Sequence, residues 1–222
     1  MDKKVTVITG CNRGIGLALC QVYQESGYQV IGVCRQSSKE LEELGVQVVS
    51  GIDITEASSI ATLQKELQGV AIDILVNNAG LLSNETLNDL NFERIAKQFA
   101  INAMGPLRVT EALLGNLGSG SKLALITSRM GSIADNTSGS RYGYRMSKAA
   151  LNAAGVSLAQ DLKHQNIAVA ILHPGFVKTG MTGHNGDVLP EQAAKGLYQR
   201  IEELTMANTG GFWHANGQRL EW

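Results

Sequence analysis

The sequence predicts an α/β fold, a doubly wound parallel sheet forming a single domain over 1–222. Three observations lead there. Short β-branched apolar runs alternate with longer amphipathic ones, the pattern of βαβ units whose sheet is buried on both faces. A glycine-rich string, TGCNRGIG at 9–16, joins the first apolar run to the first helical stretch. The 222 residues contain no Pro/Ser-rich linker, repeat or low-complexity block, and that length suits one such domain.

The elements follow in order. VTVIT (5–9) reads as a buried first strand. IGLALCQVYQES (15–26) has helical spacing in Leu17, Cys20, Val22 and Tyr23, and Gly27 stops it. QVIGVC (29–34), VQVVS (46–50), IDILVN (72–77), KLALIT (122–127) and IAVAIL (167–172) supply strands two to six. Helical stretches are expected near 55–68, 92–117 and 142–163. Right-handed crossovers then wind the sheet in both directions. The segment 176–190, with Gly180, Gly183 and Gly186, reads as loose, with a short helix near Thr179–Thr182. The ending GFWHANGQRLEW holds an NG turn and is expected to form a last strand or arm.

Composition sets limits. Hydrophobic residues are 44% of the chain, enough for a substantial core. The net charge of -1 makes no electrostatic case for nucleic acid or an acidic membrane surface. No apolar run approaches the roughly 20 residues of a membrane span. MDKKVTVITG has no signal-peptide pattern. Cys11, Cys20 and Cys34 are odd in number and lack CxxC spacing, so they read as free thiols in a reducing compartment. The expected location is cytoplasmic. His164, His173, His184 and His214 are scattered, so no metal site is expected.

Strand, glycine turn, then helix is a phosphate-binding layout. Gly10 permits the tight turn, Gly14 leaves room for a pyrophosphate, and Gly16 lets the helix approach the sheet. Asn12, Arg13 and Ile15 complete the turn. An acidic residue at the end of the second strand would receive the ribose hydroxyl of NAD. This chain has Arg35 there, and a guanidinium suits a 2′-phosphate. With Arg13 in reach, the expected cofactor is NADP. Asp53, followed by Ile54, stands after the third strand. It is a candidate acceptor for the adenine amino group or a helix cap.

Tyr144 and Lys148 are spaced i, i+4 and share a helix face. A nearby ammonium would stabilise phenolate and lower the tyrosine pKa, preparing it to exchange a proton. Tyr142 stands six residues from Lys148 and misses that face.

TGCNRGIG, NNAG at 77–80, Asn102 in INAMG, Ser128 in ITSRMG, YRMSK at 144–148 and HPGFVKT at 173–179 occur in this order. The chain thereby closely resembles the short-chain dehydrogenase/reductase family over essentially its whole length, most like the C-factor/sniffer-type carbonyl reductases. The resemblance implies a Rossmann-type sheet and a catalytic set of Asn102, Ser128, Tyr144 and Lys148. Ser128 would bind the substrate carbonyl oxygen and Tyr144 would protonate it. Lys148 would bind the nicotinamide ribose and tune Tyr144, and Asn102 would hold a water that feeds protons to Lys148. Asn78, Ala79 and Gly80 would line the floor beside the adenosine ribose. Pro174, Gly175, Val177 and Thr179 would shape the nicotinamide side. Ser128 precedes Tyr144 by 16 residues, where many members show about 13; Ser132 is the rival serine.

The expected activity is NADPH-dependent reduction of ketones or aldehydes, with a small-molecule carbonyl substrate. The short 176–190 segment is expected to act as a lid over an open pocket for small or medium apolar carbonyls. The competing reading is an NADP-binding sensor or C-factor-like signalling protein with little turnover. The long helices near 92–117 and 142–163 commonly pair across a dimer axis in the resembling family, which implies a homodimer or homotetramer.

Overall fold

The seven strands β1 (Val5–Thr9), β2 (Gln29–Val33), β3 (Gln47–Val49), β4 (Ile72–Asn77), β5 (Leu117–Ile126), β6 (Ala168–His173) and β7 (Phe212–His214) form one parallel sheet. Their order is β3-β2-β1-β4-β5-β6-β7. The structure, a computed structural model, describes residues 3–222; Met1 and Asp2, the start of the N-terminal reading, lie outside it. The chain leaves β1 in one direction and returns at β4 to build in the other. That reversal opens a crevice at the C-terminal ends of β1 and β4, where ligands gather on such sheets.

Helices cover both faces because neighbouring strand residues point opposite ways and both are apolar. Ile8, Val76 and Leu172 pack with Leu19, Tyr23 and Leu197 from α1 (Gly14–Glu25) and α7 (Pro190–Glu202). Val7, Leu75 and Val169 pack with Leu63 of α3 (Ala57–Glu66), Val109 of α5 (Gly105–Leu113) and Leu151 of α6 (Tyr142–Asp161). Fully burying such a side chain contributes about 1.5–3 kcal/mol. The short α2 (Lys39–Glu43) is capped by Ser38, whose hydroxyl accepts from Leu41 N at 3.2 Å.

The predicted strands and helices form, with the short α2 as an unpredicted addition and three further differences. The 92–117 stretch is not one helix. It divides into α4 (Phe92–Phe99), a π-turn at Ala100–Met104, α5 and a short 3-10 turn. Pro106 cannot donate the N–H that an α-helix would offer to the Asn102 carbonyl, and the wider turn accommodates this. Helix α7 is the second difference. Its buried Ala193, Ala194, Leu197 and Ile201 recur at helical spacing after Pro190 at its start. Third, the 176–190 segment is internally bonded rather than loose. Val177 bridges Val188 and Lys178 N donates to Val188 O at 2.9 Å, while the expected short helix forms as a 3-10 turn at Gly180–Thr182. The expected last strand also forms: the C-terminal arm adds β7 beside β6. The Asn216–Gly217 turn then brings Arg219 back to bridge Trp213.

The β6/β7 register sets His173 opposite His214, with their rings 4.9 Å apart edge to face. These two histidines are therefore paired, not scattered. Among the described residues no group of three or more His, Cys, Asp or Glu side chains is placed to hold a metal ion. Cys11, Cys20 and Cys34 are free and buried. Among the described residues no helix is long and apolar enough to cross a membrane.

Candidate active site

One cleft of about 1760 Å³ lies along the C-terminal ends of the strands. Its walls come from chain segments that leave β1, β2, β4, β5 and β6, together with the first turns of α6. The fold thus gathers residues from 10 to 190 that the sequence holds far apart.

The glycine turn forms the first wall. Gly10 has φ 67°, a left-handed conformation that side chains disfavour. A Cβ there would lie 2.8 Å from Ala79 Cα. At Gly16 a Cβ would run into the Gly10 carbonyl, and it would stand 2.6 Å from Asn78 Nδ2. Bare backbone is therefore required at both places. Asn78 braces the turn from below, donating to Thr9 O at 3.0 Å and Gly10 O at 3.1 Å. Thr9 Oγ1 accepts in return from Asn78 N and Ala79 N. The first turn of α1 has no acidic residue, so its free N–H groups present an uncompensated positive end to the cleft.

Arg35 leaves the end of β2 with its side chain 65% exposed, its Nη1 4.0 Å from Asp53 Oδ2. An exposed pair at this distance contributes little stability and leaves the guanidinium free to bind an anion. Asp53 Oδ1 accepts from Thr55 N at 2.9 Å and Thr55 Oγ1 at 2.7 Å. The carboxylate thus fastens its own turn, while Glu56 occupies the N-cap position of α3 without a side-chain capping bond. Those Thr55 hydrogen bonds, and then the charge of Arg35, hold the Asp53 carboxyl below its ordinary pKa.

Tyr144 and Lys148 stand on the first turns of α6, where Lys148 Nζ lies 5.8 Å from the Tyr144 ring centroid. Lys148 is 4% exposed, and its ammonium donates to Ile126 O at 2.8 Å. Burial pushes Lys148 down to about 7. The expectation of a lowered tyrosine pKa does not hold. Burial raises Tyr144 to about 12, with hydrogen bonding by Ser128 and the charge of Arg141 acting against the rise. Desolvation of the phenolate outweighs the Ser128 hydrogen bond and the Arg141 charge here.

Ser128 stands two residues after β5 and caps the next short turn, its Oγ accepting from Met130 N at 3.1 Å. Ser132 is also buried, but its hydroxyl accepts from Asp135 N and it does not line the cleft. Tyr142 is outside the lining as well. The extra residues between Ser128 and Tyr144 form a loop over 132–141 that lets the serine reach the tyrosine.

Every sequence-predicted site residue lines the cleft except Asn102. Asn102 is buried in the π-turn behind it. Its Oδ1 accepts from Leu81 N at 2.7 Å, and its Nδ2 donates to Leu81 O at 2.7 Å and Ser147 Oγ at 3.0 Å. Both ends of the amide are engaged, so the side chain braces the 78–82 segment against α6. On the far wall, Val177 O accepts from Thr182 Oγ1 at 2.8 Å. A Cβ on Gly14 would stand 3.3 Å from Thr179 Cγ2, so the β1 turn and the β6 loop meet there.

The sequence reading missed Arg141, Arg145, Lys97, Asn84 and His173 as lining residues. For the two arginines a signal existed, since Arg145 follows Tyr144 directly and Arg141 precedes it by three residues. His173 is buried beside His214, and burial and that neighbour push it down to about 3. It is a neutral wall at neutral pH.

The short chain dehydrogenase family model matches residues 4–188. The 1-hydroxy-2-glutathionyl-2-methyl-3-butene dehydrogenase of Rhodococcus sp. (strain AD45) is 36% identical over 222 residues, covering 97% of this chain and 98% of that protein. The C-signal protein of Myxococcus xanthus is 41% identical over 154 residues, covering 68% of this chain and 93% of that one. Among solved structures, the carbonyl reductase Sniffer of D. melanogaster superposes with a TM-score of 0.90 at 29% identity, over 100% of both chains. The NADPH-bound carbonyl reductase from chicken fatty liver gives 0.89 at 26% identity, again over 100% of both. The cleft geometry, the family match and the full-length likenesses agree: this chain belongs to the short chain dehydrogenase family of oxidoreductases.

Proposed function

We propose that this chain is an NADPH-dependent carbonyl reductase that converts a ketone or aldehyde to its alcohol, with Tyr144 as general acid. One observation carries the reading: Ser128, Tyr144 and Lys148 line the same cleft as the glycine turn and Arg35.

The residues fit a phosphorylated dinucleotide. The bare backbone at Gly10 and Gly16 and the start of α1 would receive the pyrophosphate. Arg35 and Arg13 would receive a 2′-phosphate, with Asn12, Ile15 and Ile54 shaping the same end. When bound, the nicotinamide supplies the hydride. Pro174, Gly175, Val177 and Thr179 would wall its side of the cleft.

The chain's own residues handle the oxygen and its proton. Ser128 Oγ accepts from Met130 N, so its O–H, which faces Tyr144, would turn to donate to the substrate oxygen. A tyrosine raised to about 12 is protonated at neutral pH and enters as an acid, the state that carbonyl reduction needs. The proton passes from the Tyr144 hydroxyl to the developing alkoxide. Lys148, titrating near 7, can return a proton to the phenolate. Asn102 acts as a positioning residue through Leu81 and Ser147.

A sensor with little turnover has no use for a phenol, a hydroxyl and a buried ammonium gathered in one cleft. A homodimer or homotetramer is supported by exposed apolar residues on the helical side: Phe92 at 74%, Met104 at 43% and Val156 at 37%. Sedimentation tests that assembly. The function itself is tested by following NADPH oxidation against a panel of ketones and aldehydes and identifying the alcohol formed. Turnover of no member would remove the reading.

A further inference from the structure

The cleft carries charge that the composition does not. The chain has 19 Lys and Arg against 20 Asp and Glu, yet eight of the former and two of the latter line the cleft. Both aspartates are already paired, Asp53 with Arg35 at 4.0 Å and Asp135 with Arg129 at 2.5 Å. Arg141 and Arg145, on either side of the Tyr144 turn, have no carboxylate within ion-pair distance among the described residues. Arg145 spends its guanidinium on neutral groups of the 130–140 loop, including Ser138 Oγ at 2.9 Å and Gly139 O at 3.2 Å. Arg141 donates only its Nε, to Asn84 Oδ1 at 3.0 Å. On this exposed side chain the terminal nitrogens have no hydrogen-bond partner among the described residues.

Two further features show that Arg141 is held there against local preference. Ser140 and Arg141 have φ 52° and 54°, left-handed conformations that non-glycine residues avoid. The buried Glu85 main chain secures them, its carbonyl accepting from Arg141 N at 2.6 Å. Arg141 is also the N-cap of the 20-residue α6, which has no acidic residue in its first turn. A cation thus stands at the positive end of a helix dipole, and the buried Glu85 carboxylate nearby accepts from Ser83 and Gln98 and forms no ion pair with Arg141. An anion bound between the guanidinium and the helix start would satisfy both.

We infer that Arg141 binds a carboxylate on the substrate, so that the favoured substrates are carbonyl compounds carrying a carboxylate away from the reacting carbon, not neutral apolar ones. The inference rests on the carbonyl-reductase reading for the reaction, but the anion site is read separately by binding. The probes are 4-acetylbenzoate against its methyl ester for turnover, and the corresponding alcohols for calorimetric binding to the NADP⁺-loaded protein. Wild type should favour the acid over the ester by about tenfold or more in both kcat/KM and affinity, the worth of one charge-assisted contact. Arg141→Gln should erase that ratio, and the ratio cancels any effect of Arg141 on Tyr144. Arg141→Gly, suited to the left-handed backbone, guards against a folding defect and should do the same. An acid no better than its ester in wild type, or a preference that survives both variants, overturns the anion site. Tighter acid binding with no turnover of either ketone keeps the anion site and removes the reductase reading instead.

Discussion

Lys148 Nζ sits 5.8 Å from the Tyr144 ring centroid while donating to the Ile126 carbonyl. The pair shares a helix face, as i, i+4 spacing requires, yet burial sets their acidities. The phenol is held protonated and the ammonium is brought to the edge of neutral. That ordering suits a site that gives a proton away.

The lysine makes a stability prediction. Its folded pKa is about 7, against an ordinary 10.5. Between those values the unfolded chain binds a proton that the folded chain lacks. Stability should therefore rise with pH across this window, by at most about 1.4 kcal/mol per pH unit from this group. Lys148→Met should lose that part of the slope. Urea unfolding of both proteins, without added cofactor, at several pH values in this window checks it. Equal slopes would count against a depressed Lys148.

The serine assignment is tested by a pair of variants. Ser128→Ala should lower kcat/KM by about 10²-fold or more, the scale of a lost oxyanion donor. Ser132→Ala removes only the hydroxyl that holds Asp135 N and should cost far less. The reverse order would move the carbonyl-binding role to Ser132.

Cofactor choice is tested at Arg35. A charge-assisted contact to the 2′-phosphate is worth about 1.5–3 kcal/mol, or about 10- to 150-fold in kcat/KM. Wild type should prefer NADPH over NADH on that scale. Arg35→Asp should shift preference toward NADH, because the new carboxylate repels phosphate and accepts from a ribose hydroxyl. Equal kcat/KM for the two cofactors in wild type would end the claim.

Gly16→Ala should abolish cofactor binding or folding. The added Cβ meets the Gly10 carbonyl and the Asn78 amide at the base of the phosphate turn. Thermal unfolding and NADPH titration together separate the two outcomes. A variant that both folds and binds like wild type would contradict the close approach.

Most of this site is legible in one dimension because its parts are local. The glycine turn, the Tyr144/Lys148 spacing and the strand ends that carry Arg35, Asn78, Ser128 and Pro174 each depend on a few consecutive residues. What the sequence hides is what depends on distant partners. The π-turn at Asn102 follows from Pro106 combined with the Leu81 and Ser147 contacts. The raised Tyr144 pKa follows from burial, which spacing does not reveal. His173 and His214 meet only because the C-terminal arm adds a seventh strand beside β6. The 176–190 segment reads as loose from its glycines, but Val177 and Val188 close it on itself.

The central claim is that Tyr144 gives its proton to a carbonyl oxygen during NADPH-dependent reduction. The most direct measurement is single-turnover NADPH oxidation with a reducible carbonyl, in wild type and in Tyr144→Phe, with NADPH affinity measured alongside. The expected result is a rate lower by about 10²–10⁴-fold in the variant, with NADPH affinity largely unchanged. A Tyr144→Phe protein that keeps more than about a tenth of the wild-type rate would contradict general acid catalysis by this residue.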